Sequence, residues 1–217
     1  MTDAVKIDIW SDVACPWCYI GKRKFEEGAR RAGVPVEVEY HSFELSPDTP
    51  VDFAGSTTEY LAERKGLRTD QVAAMLQHVT GIAAAVGLDY DFDRVIHTKT
   101  VLAHELLHAA KAQGRQLETV EALFRAYFEQ GRHLGRVDEL VAIAAEAGLE
   151  TDAARSALES HEYLGAVHAD QAQAVAYGIQ GVPFFVIDGR YGVSGAQDPD
   201  VFASALSQVA AERESVG

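Results

Sequence analysis

Cysteine is nearly missing from this chain, with only Cys15 and Cys18 among 217 residues. Two thiols are too few for a disulfide scaffold and too few for an all-cysteine zinc site. Long apolar runs are missing too, since no stretch approaches the ~18 residues that would cross a bilayer as a helix. Positive charge is scarce. Nineteen Lys and Arg stand against 33 Asp and Glu, for a net charge of −14, and the densest basic group is the short run "GKRKF". A phosphate-backbone partner requires clustered Lys and Arg, so neither nucleic acid nor a membrane is expected as a partner. The opening "MTDAVKIDIW" has no basic segment leading into an apolar one, which does not read as a signal peptide; the expected location is cytoplasmic. What remains is ordinary for a globular protein: 47% hydrophobic and 24% charged residues, enough for a substantial core.

The pattern along the chain changes twice. "VKIDIW" alternates Val5, Ile7 and Ile9 with Lys6 and Asp8, the period-two signature of a strand. A helix is expected from Tyr19 to Arg31, ended by Gly33. "PVEVEYHSF" alternates again, so strand, helix and strand form a right-handed βαβ unit with parallel strands. These strands are less continuously apolar than a parallel pair covered on both faces should be. From about residue 56 to 178 the pattern is helical, with segments closing on Gly87, Gly114, Gly131, Gly148 and Gly178, a start cap at Thr151 and one long run "SHEYLGAVHADQAQAVAYG". After Gly178 come an apolar run "FFVI", hairpin residues "DGR", and a helix with Asp198 as cap and Pro199 at its first position. Both ends of the chain must therefore build one sheet, giving an α/β domain of residues 1–50 plus 179–217 interrupted by a helical domain of residues 51–178.

Only the thiolate of a cysteine is nucleophilic. The first cysteine of a C-x-x-C pair at a helix N-terminus receives unpaired backbone N–H groups and the positive end of the helix dipole, which favour that anion. Cys15 lies where the first strand has ended and the helix begins, and Pro16 suits the first turn because it has no N–H to leave orphaned. Cys18 follows one turn later. Cys15 is thus expected to be the exposed, attacking sulfur and Cys18 the resolving one, a redox couple near a strand–helix junction. Val182-Pro183 is the one X-Pro bond that leads directly into an apolar strand.

These residues carry a resemblance. "SDVACPWCYIG" at 11–21 and "GVPFFVIDGRYGVSGAQ" at 181–197 are similar to the FrnE-like branch of the DsbA family, and "HSFEL" at 41–45 and the helical insertion agree with it. The branch is related to 2-hydroxychromene-2-carboxylate isomerases and kappa-class glutathione transferases, in which serine typically occupies the position of Cys15. The resemblance implies a thioredoxin-like fold with a large all-helical insertion between the second strand and the cis-proline strand, acting in thiol–disulfide exchange. It carries over Cys15 and Cys18 as the catalytic pair, Pro183 as the cis-proline, and Pro16, Trp17, Val182 and Pro183 as substrate-binding positions, with no cofactor and no metal. The implied partners are thiols or disulfides, of proteins or of a small molecule such as glutathione, and a homodimer is left open. DsbA itself has Pro-His between its cysteines; Trp17 brings no such charge, so a potential less oxidising than about −120 mV is expected. The alternative reading is a glutathione-dependent isomerase or transferase acting on an aromatic small molecule, a polyketide-tailoring role included.

Three other features compete for attention. "HELLH", His104 to His108, matches the zinc-peptidase pattern, but a helical wheel sets His104, Glu105 and His108 opposite an apolar arc, so they are expected on a solvated face. His41 and Glu44 are expected in a loop just past the second strand. Phe124, Tyr127 and Phe128 recur at helical spacing and are expected in the core of the insertion.

Overall fold

The computed structural model of the chain describes residues 4–216; Met1–Asp3 and Gly217, at the two ends of the expected α/β domain, lie outside the described residues. The chain divides into two compact units, one of residues through Leu45 with those from His168 on, the other Ser46–Val167.

The first unit holds a four-stranded sheet in the order β2-β1-β3-β4. Strand β1 (Val5–Ser11) pairs in parallel with β2 (Val36–Ser42), Val5 opposite Val36 and Ser11 opposite Ser42. On its other side β1 runs antiparallel to β3 (Phe184–Ile187), which pairs with β4 (Tyr191–Ser194). The β3–β4 turn has positive φ at Asp188 (57°) and Gly189 (65°), and the Arg190 N–H donates to the Ile187 carbonyl at 3.1 Å. That is the primed turn whose twist matches a hairpin. Helix α1 (Pro16–Ala32) joins β1 to β2, and α9 (Pro199–Val216) closes the chain.

Because side chains alternate along a strand, β1 and β3 present Ile7, Ile9, Phe185 and Ile187 to one face and Trp10, Phe184 and Val186 to the other. On the first face Phe185 stacks on Phe25 of α1 at 5.5 Å and meets Phe202 of α9 edge-on at 4.7 Å. On the second, Trp10 and Val186 pack with Ala174 and Ile179, with Phe43, Val182 and Phe184 alongside. The polar alternation of β2 has a plain cause: it is an edge strand, so Glu37 and Glu39 keep access to water. Asp170, Ala174 and Ile179 meet Trp10 on this face, so the segment from His168 on is part of the sheet's cover.

Helices α1 and α9 approach closely at Gly28. A Cβ there would stand 2.6 Å from both Phe202 Cβ and the Pro199 carbonyl oxygen. In an exposed helix Gly→Ala stabilises by roughly 0.5–1 kcal/mol. At this position overpacking dominates and the sign reverses. Gly28→Ala is expected to cost about 1–3 kcal/mol, read as a lower urea midpoint; an unchanged or higher midpoint would contradict the close approach.

The second unit is helical: α2 (Thr57–Lys65), α3 (Thr69–Ala84), α4 (Val101–Ala112), α5 (Gln116–Phe128), α6 (Val137–Glu146), α7 (Thr151–Ser160) and the first turn of α8 (Leu164–Ala176). Ser56 starts α2 with a full capping box through Glu59. Phe124, Tyr127 and Phe128 are buried in this unit. Two expectations change in detail. Thr151 is the first helical residue of α7 and Glu150 its N-cap. The long run from Ser160 to Gly178 is broken at its start, because His161 takes a left-handed conformation (φ 53°) that ends α7 before α8 begins.

Candidate active site

Strand β1 ends at Ser11, and the chain turns through Asp12 to Ala14. The buried Asp12 organises this turn: one carboxylate oxygen accepts from the Ala14 N–H at 3.2 Å and the other from the Leu45 N–H at 2.8 Å, while its carbonyl accepts from the Cys15 N–H at 3.0 Å. Cys15 is then the N-cap of α1, in extended conformation (φ −91°, ψ 113°), with Pro16 at the first helical position. Cys18 sits one turn on, its N–H donating to the Cys15 carbonyl at 3.0 Å. Both cysteines are free thiols.

The pairing of β3 with β1 supplies the other half of the site. Phe184 stands opposite Trp10, so the residues before it arrive beside the turn that carries Cys15. The Val182-Pro183 bond is cis. The Cys15 thiol lies 3.6 Å from the Val182 carbonyl oxygen, a sulfur hydrogen bond, and the Pro183 carbonyl accepts from the Gly195 N–H at 2.8 Å. Pro183 also rests on α1, where only glycine fits: a Cβ on Gly21 would be 2.9 Å from Pro183 Cγ. Cys15, Cys18, Val182 and Pro183, far apart in sequence, are thus gathered together. Trp17 projects outward, 37% exposed, and Pro16 is half-buried.

One expectation fails. Cys15 is not exposed: it is 4% accessible, against 2% for Cys18. The reason is the loop of Val182 and Pro183, whose carbonyl lies against the sulfur. Both thiols are covered, but they differ in surroundings. Burial holds the Cys18 thiol well above its ordinary range, and the hydrogen bond with Cys15 and the charge of Cys15 act in the same direction; the Ser11 hydroxyl and the Asp12 backbone N–H pull the other way. Ser11 and Asp12 were not singled out in the sequence. Their only signal was adjacency to the cysteine motif.

His41 lies within β2, not beyond it. Its ring stacks on Trp10 at 4.5 Å; Nδ1 is 2.9 Å from Asp170 Oδ1 and Nε2 is 2.9 Å from Asp8 Oδ1. Burial alone would lower its pKa, but hydrogen bonds to Asp170 and Asp8 and the nearby Glu39 raise it. Asp8, Glu39 and His41 are the one group of three among the described residues with donor atoms within 4.8 Å of one another. With both ring nitrogens already facing carboxylates, the arrangement is that of a charged imidazolium tying β1, β2 and α8 together. Glu44 lies past β2 and meets Gln171 at 3.4 Å.

The "HELLH" segment is not a solvated face. His104 and Glu105 are 0% and 1% exposed, since α4 packs against α5, α6 and α7 together and leaves little of its circumference to water. Glu105 Oε1 is 2.9 Å from His161 Nδ1, and the ring of His108 runs parallel to that of Tyr163 at 6.4 Å. A wheel drawn for one covered face misses this.

The comparisons with known proteins agree with this geometry. The DsbA-like thioredoxin domain matches residues 6–207. The "uncharacterized protein YwbO" of Bacillus subtilis (strain 168) is 32% identical over 211 residues, covering 94% of this chain and 96% of its own length. The crystal structure of the probable DsbA oxidoreductase SCO1869 from Streptomyces coelicolor has a TM-score of 0.89 at 39% identity, over 96% of this chain and 91% of that one. The cytosolic disulfide reductase DsbM from Pseudomonas aeruginosa, solved with GSH, has a TM-score of 0.66 at 19% identity, over 94% of this chain and 98% of that one, a likeness of fold. Matched by the family model over residues 6–207, and 39% identical to the Streptomyces coelicolor protein with a TM-score of 0.89, the chain belongs to the DsbA family of thioredoxin-fold proteins.

Proposed function

We propose that this protein is a thiol–disulfide oxidoreductase that cycles between a Cys15–Cys18 disulfide and a dithiol, exchanging with protein thiols and with small thiols such as glutathione. One observation carries the reading: a thiol at the N-cap of α1, with a second thiol one turn later and the Val182 carbonyl 3.6 Å away. In the reducing direction the Cys15 thiolate attacks a substrate disulfide, forming a mixed disulfide and releasing one substrate thiolate. Cys18 then attacks Cys15, releases the second thiol and leaves the enzyme disulfide; two electrons pass from the dithiol to the substrate. In the oxidising direction the steps reverse. Pro16, Trp17, Val182 and Pro183 border Cys15 and are assigned to substrate contact, Val182 through its carbonyl.

The cytoplasm is the proposed location. No helix among the described residues is long and apolar enough to cross a membrane, and the GSH-bound DsbM is described as cytosolic. Without a charged residue between the cysteines, the couple is expected to be less oxidising than about −120 mV. Equilibrating the protein in glutathione buffers, alongside insulin reduction by dithiothreitol, tests the proposal. A reversible Cys15–Cys18 disulfide and accelerated insulin reduction are expected; a chain that forms no disulfide and leaves insulin reduction at its uncatalysed rate would end it.

A further inference from the structure

The sheet carries an unfavourable pairing that needs a positive charge beside it. The parallel register of β1 and β2 sets Asp8 directly opposite Glu39, next along the same face to Trp10 opposite His41. Like charges facing one another across a strand pair destabilise it. Asp170 of α8 adds a third carboxylate, and both it and Asp8 are only 9% exposed, so water screens little of the repulsion. Lys6 reaches Asp8 at 3.1 Å from a largely exposed position. His41 lies at the centre of the group. Its Nδ1 is 2.9 Å from Asp170 Oδ1, and its Nε2 is 2.9 Å from Asp8 Oδ1 and 3.6 Å from Glu39 Oε1.

A neutral imidazole has one N–H and one lone pair. It can donate to Asp170 or to Asp8, but it then turns its lone pair toward the other carboxylate at 2.9 Å. Only the doubly protonated ring donates to both. Asp170 is not free to step aside: Oδ2 accepts from the Ser42 N–H at 2.8 Å, and its carbonyl accepts from the Trp10 indole N–H at 3.0 Å. The proton on His41 is therefore part of the contact between α8 and the sheet. That contact also backs the redox loop, since Trp10, Ala174 and Ile179 pack together with Val182 alongside, and the Val182 carbonyl lies against Cys15.

We propose that His41 is a proton-operated latch: its imidazolium clamps Asp8 and Asp170 and holds α8 from His168 onward against the sheet, and loss of the proton to solvent as pH rises releases that hold. The charged groups that face the ring are Asp8 of β1, itself bound to Lys6, Glu39 of β2 and Asp170 of α8. Burial alone would lower the pKa of His41, but Asp170 and Asp8, with Glu39 nearby, outweigh it and raise the value. Because the folded value lies above the unfolded one of about 6.5, this stabilisation is full below about pH 6.5 and is lost as pH rises through the folded value.

Trp10 reports on the latch directly, because its ring stacks on His41 at 4.5 Å and a stacked imidazolium quenches indole emission. The full chain carrying Trp17→Phe leaves Trp10 as its one tryptophan. In that chain, emission should rise in one sigmoidal step with its midpoint above about pH 6.5. The urea midpoint, followed by the same emission, should fall across the same interval. His41→Gln, neutral at every pH, should remove both changes. Glu39→Gln takes away one facing charge at an edge-strand position; it should keep both changes and move the step to lower pH. Unchanging emission, a step at or below the ordinary imidazole range, or the same step in the His41→Gln chain overturns the latch. So does a step in emission with no fall in the urea midpoint, since the proton would then hold nothing. If His41→Gln does not fold, Glu39→Gln carries the test, and an unmoved step there overturns the inference. None of these readouts depends on disulfide exchange, so failure of the exchange reading and failure of the latch are told apart.

Discussion

Replacing Cys15 with serine should abolish thiol–disulfide exchange, lowering insulin reduction by on the order of 10³-fold or more, to the uncatalysed level. Serine is itself a favoured N-cap residue, and the Cys15 side chain makes no capping hydrogen bond that would be lost, so the helix should start as before and the protein should unfold at nearly the wild-type urea concentration. What is lost is chemistry: an alkoxide is not formed near neutral pH, and oxygen does not form the mixed disulfide. Cys18 remains but is covered and hard to ionise, so it should not substitute as the attacking thiol. This variant also separates the two readings of the site. A glutathione-dependent isomerase that works with serine at this position would keep turnover in Cys15→Ser. Retained activity on any disulfide would sink the redox assignment, whereas retained isomerase activity with no disulfide exchange would move the protein to the other class.

Acid should destabilise the helical unit through one buried imidazole. His97 stacks on Tyr60 with ring centres 3.9 Å apart, and Phe53 and Tyr127 meet it edge-on at 6.4 Å. Its Nδ1 is 3.4 Å from the Tyr127 hydroxyl and its Nε2 is buried with no hydrogen-bond partner. Burial first, and the charge of Arg64 second, bring its pKa down to about 4. Because the folded value lies below the unfolded value of about 6.5, the unfolded chain binds the proton first as pH falls. Stability is therefore full above about pH 6.5 and is lost on descending toward pH 4, by roughly 3 kcal/mol in all. Urea unfolding followed by far-ultraviolet circular dichroism reads this best, since Trp10 and Trp17, the only tryptophans, lie in the other unit. His97→Leu should remove most of the difference between pH 7 and pH 4.5. If the variant loses as much stability over that interval as wild type, the imidazole is not the responsible group.

The legibility of this protein follows the range of the interactions involved. The C-x-x-C spacing at the start of α1, the βαβ opening, the hairpin at Asp188-Gly189 and most of the helices were readable because each depends on residues within a few positions of one another: strand alternation, a proline at the first helical position, a glycine past the last. The division into α/β ends and a helical middle followed from the same local patterns. Burial was read least well. His104 and Glu105 looked solvated because a wheel assumes one covered face, and α4 is covered by three helices. His41 looked like a loop residue because nothing in "EYHSF" announces Asp170, 129 residues away.

What the sequence determined by itself was the identity and spacing of the reactive atoms: two sulfurs one helical turn apart, a proline that starts the helix, and a later X-Pro bond entering an apolar strand. What only the tertiary structure decided was the surroundings of those sulfurs. The antiparallel register of β3 on β1 lays the Val182 carbonyl against Cys15 and covers it, and packing around the start of α1 buries Cys18 and holds its thiol well above the ordinary range. Covalent order fixes which groups are neighbours along the chain, but desolvation and hydrogen bonding depend on which groups are neighbours in space, and these are set by sheet pairing across more than 160 residues.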